Sequence, residues 1–140
     1  MRISLSLLIC FLSISLSAQG VIGVWKTVDD TDGAEKSHVE LYEKDGKLHG
    51  KIVKLLERAE GDKCISCKGD KKDAPLVGLE IIWNMKNKKG AYSGGKILDP
   101  SSGKEYKCKI SLGENSDELD VRGYIGFSLM GRTQTWYRVK

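Results

Sequence analysis

Cys64-Ile65-Ser66-Cys67 is the most conspicuous motif of the chain, two cysteines three positions apart among Lys63, Lys68, Lys71 and Lys72. Three chemistries compete for that spacing. In an oxidising compartment the pair closes a small ring and pins a connection otherwise too long to be ordered. A redox dithiol needs a depressed thiolate pKa, usually from a helix N-terminus in a βαβ unit, and no such unit is legible. Zinc needs four ligands, and the second pair would have to come from Cys108, His38 or His49 on distant segments. We expect a local disulfide, with a thiol-redox or metal-binding centre as the alternative reading. Cys108 falls on an apolar strand face, where a free thiol acts as a small hydrophobe.

Other constellations carry less. Asp29-Asp30-Thr31-Asp32-Gly33 alternates oxygens before a glycine as a calcium loop does, but Val28 and Val39 occupy its first and twelfth ligand positions, so a turn is expected. His38 and His49 have no partner at metal-ligand or triad spacing and read as surface residues. Gly-x-Ser-x-Gly, a phosphate-binding glycine loop and His-Glu-x-x-His do not occur. We therefore expect no catalytic residues, no metal, no cofactor and no enzyme. The aromatic and cationic residues say more. Gly23-Val24-Trp25 and Trp136-Tyr137-Arg138 stand at opposite ends of the chain, and in a closed barrel they become neighbours, with the guanidinium across the indole. Trp83 and Tyr92 flank a turn near Asn87, and Tyr106 and Arg122 follow. Trp25, Trp83, Tyr106, Arg122, Trp136 and Arg138 are the candidate ligand-binding residues of an amphipathic pocket, and core packing accounts for them as well.

Strands must position these side chains. No segment sustains a 3.6-residue apolar period, whereas eight alternate between turn residues: Gly23–Asp29, Lys36–Glu43, Lys47–Leu56, Leu76–Met85, Gly90–Leu98, Lys104–Leu112, Glu118–Gly126 and Arg132–Val139. Asp45-Gly46 is a hairpin turn and Asp99-Pro100-Ser101-Ser102-Gly103 a loop of turn formers. One connection is long, Glu57 to Pro75, and it holds the cysteine pair. Eight short antiparallel strands avoid two aggregation-prone edges by closing. The fold expected is all-β, an antiparallel eight-stranded up-and-down barrel. Alternation turns Leu48, Gly50, Ile52 and Leu56 inward, with Tyr106, Cys108, Ile110 and Leu112, and with Leu119, Val121, Gly123 and Ile125. On the last strand it separates Gln134, Trp136 and Arg138 from Thr133, Thr135, Tyr137 and Val139 without saying which set is internal.

The chain has 140 residues, 40% hydrophobic and 30% charged, with four cysteines and two prolines, a globular composition. Met1 to Gly20 reads as a secretory leader, Arg2 before the apolar run Ile3–Leu16, with cleavage expected after Ala18. This divides the chain into a signal peptide, 1–18, and a single barrel domain, 19–140. The run is too short to span a bilayer and no later segment approaches the length needed. We expect an exported protein, periplasmic or extracellular, without a membrane span. Cys10 leaves with the leader, so three cysteines remain, read as one disulfide and one free thiol. The charge is uneven: two basic against six acidic residues over Gln19–Glu43, then nine against five over Lys44–Lys72. The basic residues form no run interleaved with stacking aromatics, so no nucleic-acid partner is expected.

Gly23-Val24-Trp25-Lys26-Thr27-Val28-Asp29-Asp30, Cys64-x-x-Cys67, Gly78-Leu79-Glu80-Ile81, Trp83, Gly94 to Pro100, Gly103-x-x-Tyr106, and Val121 to Gly126 followed by Gly131 to Trp136 come in this order. The pattern resembles the bacterial family labelled domain of unknown function 2147, over nearly the whole mature chain. That resemblance implies an exported bacterial protein with a lipocalin-like or calycin-like barrel, and no established activity. Lipocalins are similar in carrying Gly-x-Trp on the first strand and a late arginine over the tryptophan, here Trp25 and Arg138. The chain departs from them in length, in the Cys64-x-x-Cys67 loop and in lacking a readable C-terminal helix, which argues against a roomy cavity. The expected function is a monomeric barrel binding a small hydrophobic or amphipathic ligand in the cell envelope. A third reading is an envelope interaction module with a filled barrel and no ligand.

Overall fold

Period-two alternation gives each segment one apolar face, and the eight faces find a common interior by closing on each other. The computed structural model describes residues 20–127 and 129–140; the leader expected over 1–18 lies outside the described residues. The strands are β1 (Gly23–Val28), β2 (Glu35–Lys44), β3 (Lys47–Leu55), β4 (Glu80–Lys88), β5 (Ala91–Asp99), β6 (Lys104–Leu112), β7 (Glu118–Tyr124) and β8 (Gly131–Arg138). Each pairs antiparallel with the next, and β8 returns to β1 through Trp25↔Arg138 and Lys26↔Tyr137. The result is a closed up-and-down barrel.

Two-residue turns at Asp45-Gly46 and Lys89-Gly90, all four residues at positive φ, hold the β2–β3 and β4–β5 hairpins at one end. That end is filled. Trp25, Leu41, Leu48, Met85, Ile110 and Leu119 are fully buried there. Trp25 donates Nε1–H to the Val21 carbonyl at 2.8 Å, and the Arg138 guanidinium lies 4.3 Å from its ring centroid. Arg138 also reaches the carbonyls of Gly20 (2.7 Å), Ile22 (3.2 Å) and Ser116 (2.9 Å), so one cation ties the N-terminal approach, the β6–β7 turn and the last strand together. At the other end stand the β1–β2, β3–β4, β5–β6 and β7–β8 connections.

Bulges account for the differences from simple alternation. Val39 pairs with Ile52 but His38 with Lys54, so Val53 is an extra residue and Leu55, in place of Leu56, continues the inward face. Strand β4 begins at Glu80 instead of Leu76, because Leu76–Leu79 forms a turn closed by Leu79 N–H on the Leu76 carbonyl. Against β3 this strand carries extra residues at Ile81 and around Asn84, which takes a positive φ. Ile125 lies beyond the end of β7 and is exposed, because the chain has already left the sheet. His49, expected at the surface, is 8% exposed: Tyr42 stacks on it from the neighbouring strand at 5.9 Å, and Glu80 meets its Nδ1.

The long β3–β4 connection folds onto the barrel. Cys64 and Cys67 are bonded to each other and buried, and Cys64 Sγ lies 3.6 Å from the Pro100 carbonyl oxygen in the β5–β6 turn. Lys71, in a short 3-10 turn at Gly69–Lys71, sits 3.9 Å over the Trp83 ring on the outer wall. Cys108 is the free cysteine among the described residues; it is buried, and burial pushes its thiol up to about 12.

Candidate functional site

The end opposite Trp25 is hollow. A cavity of about 630 Å³ opens there, lined at depth by Ile52, Leu55, Ile81, Ile97, Tyr106, Val121 and Trp136. Gly123 adds no side chain to the wall at this end, and the interior is left open there. Leu76, Ala59 and Lys63 of the long connection overhang one side, and the disulfide holds that connection in place against the β5–β6 turn.

The rim is ionic. Arg132 donates Nε–H to Asp30 Oδ2 at 2.9 Å and Nη2–H to Oδ1 at 2.5 Å, a bidentate pair joining the β1–β2 turn to the start of β8. Gln134 donates Nε2–H to the same carboxylate at 3.3 Å and accepts Trp136 Nε1–H at 2.9 Å on its own oxygen. A hydrogen-bonded line thus runs from the indole in the cavity to the charge at the rim. The Arg132 bond holds the Asp30 carboxyl below the usual carboxylate range despite some burial. Asp29 is likewise held low, chiefly by the Thr31 hydroxyl and amide; Lys36 is penalised by burial, yet Glu60 (3.4 Å) and Asp29 (3.5 Å) keep it charged. The turn that superficially suggested calcium is built this way: Asp29 caps Thr31, Asp32 caps Ala34 and Asp30 holds Arg132. No group of three or more His, Cys, Asp or Glu is placed to hold a metal among the described residues.

Of the six candidate residues, the structure brings Tyr106 and Trp136 to the cavity. Trp25 and Arg138 lie together at the filled end. Trp83 and Arg122 face outward, the first beneath Lys71 and the second donating to Thr133 Oγ1 at 3.0 Å. On β8 the internal set is Gln134 and Trp136. Asp30, Lys36 and Arg132 were not among the candidates; the signal available for Gln134 was its place two residues before Trp136 on one strand face.

Residues 23–138 match the family described as "uncharacterized protein conserved in bacteria (DUF2147)". No curated protein matches the chain. A solved structure, described as protein HP1028 from the human pathogen Helicobacter pylori belonging to the lipocalin family, is similar with a TM-score of 0.74 at 21% identity, over 85% of this chain and 82% of that one. At that identity the likeness concerns the fold, a lipocalin-like barrel.

Proposed function

The chain belongs to the DUF2147 family of proteins conserved in bacteria, and from that premise we propose that it is an exported, non-enzymatic barrel that holds a small amphipathic ligand. The observation that carries this reading is the half-hollow interior: an apolar cavity within the size range of small-molecule sites, under a charged rim on a lipocalin-like scaffold. An apolar body would lie against Ile52, Ile97, Val121 and Trp136, and a polar end would meet Arg132, Gln134 and Lys36. The charges at the rim are already engaged with one another, an arrangement that suits holding a ligand and not turning it over. The leader and the loop disulfide support export.

Trp136 makes the proposal testable, because of the three tryptophans it alone lines the cavity. Titration with dodecanoate or dodecanol should change tryptophan fluorescence saturably in the natural protein and in Trp83→Phe, and not in Trp136→Phe. Native mass spectrometry should retain the added amphiphile. Unchanged fluorescence and no retained mass with both probes would end the reading.

A further inference from the structure

Residues of the β7–β8 connection stand out because they are apolar and covered by nothing. Phe127 is 81% exposed, Leu129 91%, Met130 71% and Ile125 65%. Other exposed hydrophobics, such as Ile22, Val77 and Tyr137, stand singly, as on any soluble surface. Four within six positions of one loop form a patch, and such patches mark interaction sites. Ile125 and Met130 reach the cavity rim, so the patch sits beside the mouth.

The adjoining wall is cationic in a way that the linear sequence conceals. Register places Lys96 opposite Lys107 across β5 and β6, and Lys109 opposite Arg122 across β6 and β7. Like charges directly opposite each other on one sheet face repel. Glu105 lies 3.9 Å from Lys96, while Lys107 and Lys109 form no ion pair among the described residues. Lys68 and Lys104 share a depression with Ile125 and Glu105 at the base of the loop. The acidic β1–β2 turn is tied to the start of β8 by the Asp30–Arg132 pair, so its charge is balanced where it approaches the loop, while Lys107 and Lys109 stand without such partners among the described residues on the β5–β7 wall.

From this juxtaposition we infer that the β7–β8 loop docks the barrel, tilted onto its β5–β7 side, on an anionic phospholipid surface. Phe127, Leu129 and Met130 enter the interfacial region, and Lys104, Lys107 and Lys109 meet the headgroups. The membrane thereby relieves the cross-strand repulsion and faces the cavity mouth. A second copy of the chain fits the patch less well, since it would set one cationic wall against another. Nucleic acid would use the cations but leave the aliphatic side chains without a role. The inference stands whether or not the cavity holds a ligand.

The test is co-sedimentation with vesicles of mixed phosphatidylcholine and phosphatidylglycerol, compared with phosphatidylcholine alone. The natural protein should partition about tenfold more strongly onto the anionic vesicles, and less as salt rises. Phe127→Ser with Leu129→Ser, and separately Lys107→Glu with Lys109→Glu, should each weaken partitioning about tenfold while near-ultraviolet circular dichroism stays unchanged, since all four side chains are at the surface. A fluorophore on Phe127→Cys, with Cys108 too buried to compete for the label, should shift to the blue on vesicle addition. The inference is overturned if the natural protein ignores the anionic vesicles, or if the apolar double variant partitions as well as the natural chain. It is equally overturned if the loop variants instead dissolve a dimer seen by sedimentation without lipid, or if a single-stranded oligonucleotide binds more tightly than the vesicles.

Discussion

Asp30 is the residue on which the rim turns, since it receives both arms of Arg132 and the amide of Gln134 and so joins the first turn to the last strand. Arg132 is well exposed, which limits the pair to about 0.5–1 kcal/mol. Asp30→Asn should therefore lower Tm at neutral pH by about 2–5 °C. The pH dependence has a definite sign. A carboxyl whose folded pKa is depressed contributes stability that is complete above its unfolded value, near 3.8, and that is lost as pH falls from there through the lower folded value. Melting curves of the natural protein and the variant should differ at neutral pH and converge below that window; Asp29, held low in both, cancels from the comparison. A Tm difference that persisted in strong acid would show that the pair is not what Asp30 contributes. The same substitution releases Arg132, so dodecanoate should bind the variant several-fold more tightly while dodecanol should not.

At the scale of elements the question is what keeps a long connection ordered beside an open cavity. A Cβ on Gly103 would stand 1.9 Å from the Ser66 carbonyl oxygen, so the β5–β6 turn accepts the Cys64–Cys67 loop only where a side chain is missing. Gly46 offers the control: its φ of 74° nearly equals the 71° of Gly103, yet a Cβ there would meet nothing. Gly46→Ala should cost about 1 kcal/mol, the conformational penalty alone. Gly103→Ala should cost about 2–4 kcal/mol and expose Glu57–Pro75 to proteolysis, because the added methyl group must push the loop backbone away. Equal losses in urea titrations of the two variants would mean that the loop is not seated on the turn. The strands, their order and closure were legible in the sequence because alternation and turn residues are local signals. The bulges at Val53, Ile81 and Asn84 were not, since an extra residue is defined only against the partner strand, and the one at Val53 is what moved Leu55 inward in place of Leu56. Tyr106 was legible as an inward residue of the site, and Trp136 as a pocket candidate on a strand whose inward face the alternation left open. Asp30, Lys36 and Arg132 were not, because they meet at a rim created by four connections whose shapes no periodicity records. Trp83 and Arg122 carried the right chemistry for a pocket but stand outward; for Arg122 the inward set Leu119, Val121 and Gly123 already implied this, whereas the face of the strand holding Trp83 was left open.

For the whole molecule, filling one end and leaving the other open divides stability from binding. Trp25, Leu119, Leu48 and Met85 close the interior under Arg138, and any loss there leaves a void that a barrel, whose walls are tied together all the way round, collapses into poorly. Leu119→Ala should cost about 3–4 kcal/mol in urea unfolding and leave the affinity for dodecanoate within about twofold among molecules still folded. Leu55 is half-buried and lines the hollow end, where its neighbours already face empty space or solvent. Leu55→Ala should cost only about 1 kcal/mol. Leu55→Trp should be accommodated by the roughly 630 Å³ of free volume, unfold no earlier than the natural protein, and abolish the Trp136 response to dodecanoate by occupying the ligand's place. Measuring both properties on all three variants separates the alternatives. If Leu55→Trp destabilised the fold as Leu119→Ala does, the cavity would be closed in solution and the interior would be packed throughout. The binding reading would then fail, and the exposed loop and cationic wall would be left as the functional surface.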